Sequence, residues 1–185
     1  MDATRIADHA GQDLEWTQPH WARPEFELRA GSEVLATLRR RHWWGSELLA
    51  ESDGETWRLV EPLLQPSLLA FRAGDTSEAA IVRPVGWRGE DRAPHLEVAR
   101  WRGDQRIELA SGDALWFRQA SVWRPAWQVV DADGVVWVDI LRMRQSLRVT
   151  GTLRVESVAR ERPELGLLVM IGWCLALATT HQHTH

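Results

Sequence analysis

From position 25 onward the chain alternates apolar and polar residues in short runs broken by Gly- and Asp-containing turns, the period of half-buried β-strands. FELRA and VLATLRR flank the turn GSE; ELLAE and ETWRLV flank SDG; LLAFR and AAIVR flank AGDTSE. Further on, LEVARW and RIELA flank RGDQ, ALWFRQ follows, and AWQVV and VVWVDI flank DADG. Asp-Gly and Gly-Asp pairs accept positive φ, so they favour tight hairpins between such runs. A last stretch, 146–158, predicts strand, with Gly151 as a bulge or turn inside it. The pattern predicts about twelve antiparallel strands. Residues 1–24 read as irregular, and only 14–17 are patterned as a short strand.

The pattern changes near the end. Residues 165–180, LGLLVMIGWCLALATT, carry no charge, and a helix that is apolar on every side must be surrounded by protein or by lipid. Pro163 suits a first helical turn and Glu164 suits the positive end of the helix dipole, so a helix is predicted over about 163–180. Residues 181–185 then form a disordered tail. The fourteen residues 165–178 make about 21 Å of helix, whereas a bilayer core needs about 30 Å. Strands of five to seven residues span about 17–23 Å, which matches the helix. About twelve strands close a barrel too wide for side chains alone to fill. The expected fold is therefore all-β with one helix: a roughly twelve-stranded antiparallel closed barrel enclosing the hydrophobic C-terminal helix. The rival is a tail-anchored membrane protein, a cytoplasmic β-domain with 165–180 as its anchor. No Arg follows that segment to hold a far side.

One domain over 25–180 is expected, built from two similar halves at about 25–90 and 91–158. The repeat that suggests them aligns ELLAESDGETWRLVEPLLQPSLLAFRAG from Glu47 with IELASGDALWFRQASVWRPAWQVVDADG from Ile107. A duplicated unit closing on itself removes exposed sheet edges.

Composition narrows the chemistry. Among 185 residues there are 22 Arg and 12 Trp, but no Lys, Asn or Tyr, the bias of a high-GC, bacterial coding sequence. Without Lys there is no Walker-A lysine, Schiff base or lysine base. The single Cys174 excludes an internal disulfide and Cys-rich zinc sites, and its apolar surroundings read as burial. A net charge of −4 excludes a general nucleic-acid binder. MDATRIADHAGQDLEW lacks a basic n-region and an apolar h-region, so a cytoplasmic location is expected, peripheral at the inner membrane face if lipid is bound.

Few residues stand out as a site. RRRHWWGS, at 39–46, is the densest basic-aromatic cluster, and Arg forks beside Trp rings suit phosphate headgroups or a membrane interface. Arg39, Arg40, Arg41, Trp43 and Trp44 are the candidate headgroup-binding residues. Arg142, Arg144 and Arg148 form a second basic run, with 142 and 144 on one outward face. Asp131, Asp133 and Gly134 resemble the start of a calcium loop, but a strand stands where its bidentate Glu belongs, so the segment reads as a hairpin turn. His181, His183 and His185 alternate in a tail without fixed geometry. No Ser/His/Asp or paired-carboxylate spacing emerges, so no catalytic residue, metal or cofactor is assigned. Trp57–Arg58, Arg100–Trp101–Arg102 and Trp116–Phe117–Arg118 predict Trp inward as core and Arg outward as surface.

The strand count, the Asp-Gly hairpins at 52–54 and 131–134, the half-repeat and PELGLLVMIGWCLALA together resemble the tubby C-terminal, phospholipid-scramblase and LURP-one-related group of barrels. The resemblance spans 25–180. The chain is also similar to a set of actinobacterial proteins with TQPxW (here 17–21), an ELRAG-type first strand and a Pro-Glu-Leu-x-Leu-Leu-Val final helix. The resemblance implies a twelve-stranded barrel of two similar halves around a hydrophobic helix, in a group that includes phosphoinositide-binding and bilayer-acting proteins. No residue here matches the tubby headgroup pocket, so no site is carried over. The resulting expectation is a non-enzymatic binding or scaffold domain without a cofactor, its partner an anionic phospholipid or a protein.

Overall fold

The computed structural model describes residues 5–40, 47–61, 67–85, 103–121, 123, 126–145 and 148–181. Twelve strands alternate inward apolar and outward polar residues: β1 (Asp13–Thr17), β2 (Glu25–Ala30), β3 (Glu33–Arg40), β4 (Glu47–Ser52), β5 (Glu55–Val60), β6 (Leu68–Arg72), β7 (Glu78–Pro84), β8 (Gln105–Leu109), β9 (Ala114–Ser121), β10 (Ala126–Val130), β11 (Val136–Gln145) and β12 (Val149–Val155). Each pairs antiparallel with its chain neighbour, and β1 pairs with β12 (Trp16 opposite Gly151), so the sheet closes as a barrel without a free edge. One helix, α1 (Leu165–His181), ends the described chain.

Twelve strands about 4.8 Å apart and tilted by about 40° enclose a backbone cylinder about 24 Å across. A helix about 10 Å across with its side chains, plus one layer of inward residues, fills that width. Every residue from 165 to 176 is buried, and 177–180 are half-buried. The barrel thus covers the surface that a membrane anchor would give to lipid, contrary to the anchor reading. Among the described residues no helix is long and apolar enough to cross a membrane.

Trp173 is fully buried and stacks on Trp16, with centroids 5.1 Å apart and planes 7° apart. Phe26 meets the Trp173 ring edge-on at 6.1 Å. Trp57 and Leu59 on β5, Ile107 on β8, Phe117 on β9 and Ile140 on β11 line the rest of the lumen. Trp116 departs from the inward expectation. Its neighbour Phe117 takes the lumen position and stacks near Trp127, so Trp116 shares the outward face with Arg118. Arg100, Trp101 and Arg102 lie outside the described residues, as does the predicted strand LEVARW.

Three boundaries differ from the sequence reading. The barrel begins at Asp13 rather than at residue 25, because β1 is the strand that closes it. Gly151 is neither bulge nor turn; it runs through regularly paired β12 between Trp16 and Met143. The helix starts at Leu165, with the Leu168 N–H donating to the Glu164 carbonyl, and it includes His181, so the tail after it is 182–185. The internal alignment pairs β4–β6 with β8–β10, a shift of four strands, whereas two halves of a twelve-stranded barrel are related by a shift of six.

The hairpin turn between β4 and β5 holds the start of the helix. Asp53 takes positive φ (53°) before Gly54 (77°), the pairing that a two-residue hairpin demands. Its carboxylate accepts the Ile6 N–H at 3.0 Å and also lies against the first turn of α1. A Cβ at Gly166 would come within 3.0 Å of both Asp53 Oδ2 and Ser52 Oγ, while one at Gly172 would sit 3.5 Å from Ile140 and Val129. Gly166→Ala is therefore expected to destabilise by about 1–2 kcal/mol through overpacking. Gly172→Ala fits in ordinary contact and should stabilise by about 0.5–1 kcal/mol, the helix propensity difference. Chemical denaturation of both variants checks the opposite signs.

Asp139 on β11 is half-buried, and burial raises its carboxyl pKa, partly offset by a hydrogen bond from Gln128; Glu156 raises it further. An acid whose pKa is raised on folding makes the protein less stable as pH climbs through the unfolded and then the folded value. Asp139→Asn is expected to raise stability at neutral pH, with the gain vanishing below the unfolded Asp range. Thermal melts across pH read this directly.

Candidate functional site

The antiparallel meander sends its connections to two ends that differ in kind. At one end lie the short turns 31–32, 53–54, 73–77, 110–113 and 131–135, together with 5–12 and the 156–164 lead into α1. We call this the hairpin end. The other, the loop end, is where β1, β3, β5, β7, β9 and β11 finish; of its connections the structure describes 18–24, 61, 67, 85, 103–104, 123 and 148. The helix enters at the hairpin end, where Gly166 abuts Ser52. Its last turn reaches the loop end, where the Thr180 hydroxyl donates to Met143 Sδ at 3.2 Å.

Charge follows the same division. By sequence, the strands carry eleven arginines and eleven carboxylates and cancel. Among the described residues the hairpin-end segments hold three arginines against nine carboxylates, and the loop-end segments two arginines against two carboxylates. Among the described residues the hairpin end is thus the acidic one, and the loop-end connections are neutral. The acidic end compensates the buried helix, whose positive N-terminus meets it.

Two tryptophans stand free at the loop end. Trp21 is 72% exposed and Trp123 91% exposed, against a barrel whose other described inward tryptophans are buried. Neither belongs to a strand. Gln18 shapes the turn that carries Trp21: its amide donates to the Arg23 carbonyl at 2.8 Å and the Trp21 carbonyl at 3.3 Å, and accepts the Val149 N–H at 3.1 Å. Ser121 Oγ accepts the Trp123 backbone N–H at 3.2 Å, holding the backbone that carries the other ring just beyond β9. Around the rim the two connections are four strands apart, with the β11–β12 connection between them. Exposed Arg23, Arg144 and Arg148 lie along the same arc.

Of the residues singled out by sequence, Arg39 and Arg40 end β3 at this end, while Arg41, Trp43 and Trp44 lie outside the described residues. Arg39 turns back along the barrel wall, where its guanidinium pairs with Glu51 at 3.0 Å. Arg40 is exposed. Arg144 is exposed; the side chain of Arg142 is not among those described, nor are those of His181, His183 and His185. Sequence reasoning missed Trp21 and Trp123 as site residues. Their signal was a Trp inside a Pro-containing connection (QPHWARP and SVWRP), outside any period-2 run.

Other chemistry is accounted for locally. Asp131 Oδ1 accepts the N–H groups of Asp133 (3.0 Å) and Val135 (2.9 Å), with Gly134 at φ 81°, which makes this segment a hairpin turn. Among the described residues no group of three or more His, Cys, Asp or Glu could hold a metal. Cys174 is buried, and burial first, then the nearby Glu61 charge, drives its thiol pKa far up, so it stays a neutral thiol. A 410 Å³ hollow at the hairpin end is lined by Arg5, Asp53, Trp57, Arg160, Arg162 and Leu165, among others. Its charges are largely engaged: Arg162 lies 4.4 Å over Trp137 and pairs with Asp113 at 3.3 Å, and Asp53 holds Ile6.

No protein-family model matches the chain, and no curated protein matches it. A solved X-ray structure, the Arabidopsis thaliana protein AT5G01750, is similar in shape at 10% identity, over 92% of this chain and 98% of that one, with a TM-score of 0.48. The barrel described above rests on its own twelve strand pairings rather than on this likeness.

Proposed function

We propose that this chain is a non-enzymatic binding domain of the tubby-, scramblase- and LURP-one-related kind of barrel, and that its loop end engages anionic phospholipid surfaces. The carrying observation is that exposed Trp21 and Trp123 share the loop end with exposed Arg23, Arg40, Arg144 and Arg148. Trp prefers the headgroup level of a bilayer, and each Arg near an anionic leaflet contributes about 1 kcal/mol. Two rings on separated connections suit a surface better than a single enclosed ligand. The acidic hairpin end then faces away from the lipid, so orientation costs nothing extra. Arg40, exposed at the end of β3, belongs to the loop-end rim, while Arg41, Trp43 and Trp44 lie outside the described residues.

Co-sedimentation with vesicles of phosphatidylcholine, with and without phosphatidylserine, tests the proposal. Binding is expected only with the anionic lipid, weakening as salt shortens the Debye length. A Trp21→Ala/Trp123→Ala variant should lose roughly tenfold in partitioning, the equivalent of about 1.4 kcal/mol. Equal partitioning of wild type and this variant, or no preference for anionic vesicles, contradicts it.

A further inference from the structure

We propose that the outer barrel wall beside the loop-end rim holds an aminophospholipid headgroup, a phosphodiester joined by a short carbon link to a primary ammonium. The site is a trough of about 130 Å³ along β12, lined by Glu15, Arg144, Thr150, Gly151 and Thr152. Its shape follows from side-chain length. Alternation turns Thr150 and Thr152 outward, while Gly151 between them lies opposite buried Trp16 and Met143. The flanking strands carry longer side chains: exposed Glu15 on β1, in register with Thr152, and exposed Arg144 on β11, in register with Thr150. The wall therefore dips along β12. Further from the rim, Arg154 of β12 donates to Asp13 of β1 at 2.8 Å and closes the trough on that side. The other side opens at the rim, beside the connections that carry Trp21 and Arg148.

Charge selects the ligand. Elsewhere on the wall arginines meet carboxylates directly, as in Arg29–Glu27 and Arg83–Glu108. Glu15 and Arg144 are two strands and two residues apart, about 12 Å between Cα atoms. Among the described residues neither side chain has an ion-pair or hydrogen-bond partner. A guanidinium and a carboxylate held apart, with two hydroxyls between them, complement a ligand that carries both charges. Arg144 takes the phosphate through its fork. Glu15 accepts N–H groups of the ammonium, helped by the threonine hydroxyls. A trimethylammonium offers no N–H, so ethanolamine and serine headgroups are favoured over choline, and an inositol phosphate brings no cation for Glu15.

The depth suits a bilayer. Allowing for strand tilt, Thr150 and Thr152 lie about 3 and 8 Å above the end of β12, and the headgroup layer of a leaflet is about 5–8 Å thick. Trp21 and Trp123 seated at the interface thus bring the trough to headgroup level. Its orientation at a membrane rests on the lipid reading; recognition of the headgroup itself does not.

Two measurements test the site. The first is flotation with vesicles of equal phosphatidylglycerol content, the remainder being phosphatidylethanolamine or phosphatidylcholine. The wild type is expected to partition about threefold in favour of ethanolamine. Glu15→Gln should erase that preference while still binding anionic vesicles; its side chain is exposed, and circular dichroism checks that the variant folds. The second uses soluble glycerophosphoethanolamine, which should shift the amide resonances of Glu15, Thr150 and Thr152, whereas glycerophosphocholine leaves them in place. Such shifts without vesicle binding uphold the trough, place its ligand in solution and count against the lipid reading alone. Vesicle binding without the ethanolamine preference, a preference that survives Glu15→Gln, or no shifts with the soluble headgroup overturns the trough and leaves the lipid reading standing.

Discussion

A chain ending at Arg162 is expected not to fold. The deleted helix carries Leu165, Leu167, Leu168, Val169, Met170, Ile171, Trp173 and Leu175, all 2% exposed or less. At about 1.5–3 kcal/mol for each large apolar side chain, their burial contributes on the order of 12–24 kcal/mol. Typical net stability is only about 5–15 kcal/mol. The barrel cannot recover the loss by collapsing, because twelve paired strands fix its circumference and its inward residues would line a void about as wide as a helix. Far-ultraviolet circular dichroism and a flat denaturation profile should report an unfolded or molten chain. A truncated chain that melts cooperatively with intact sheet content would contradict this.

Trp173→Ala is expected to be the most damaging single substitution in the helix. It removes the ring stacked on Trp16 and met edge-on by Phe26, at the centre of the lumen. A buried Trp→Ala change costs about 3–5 kcal/mol, and the aromatic pairings add about 0.5–1.5 kcal/mol each. For a chain of this length the larger loss lowers Tm by roughly 10–20 °C. Trp173→Phe should cost far less. The indole N–H groups of Trp16 and Trp173 are buried without a hydrogen-bond partner, so Phe removes an unsatisfied donor along with part of the ring. Equal losses for the Ala and Phe variants would show that the stack is not where the energy lies.

The sequence was most legible where local chemistry acts alone. The Asp- or Gly-containing turns at 31–32, 53–54, 73–77, 110–113 and 131–135 became hairpins, because positive φ at positions such as Asp53 and Gly134 is decided within a few residues, while the hairpin expected at RGDQ has its first strand outside the described residues. The helix was legible from its lack of charge and its length. β1 was the weakest signal: DLEWT is five residues long, has no adjoining hairpin turn, and gains its place by pairing with β12 from the far end of the chain. Trp116 was misjudged because two aromatics stand side by side, and alternation alone does not say which of them faces in. The candidate surface was legible only in part. RRRHWWGS stood out by composition, but neither the acidic hairpin end nor the shared rim of Trp21 and Trp123 exists until the meander sorts the connections into two ends.

That sorting links fold to function. Burying α1 fixes which end is which, since the helix start is locked under the Asp53 turn and the helix finish lies at the loop end. Every functional statement about the poles therefore depends on the helix lying inside the barrel. Native-state hydrogen exchange on the α1 amides measures this most directly. Residues 168–176 are predicted to exchange only through global unfolding, with the same opening free energy as the slowest amides of β11 and β12. Fast exchange in α1 while those strands stay protected would mean that the helix is not the core of the barrel.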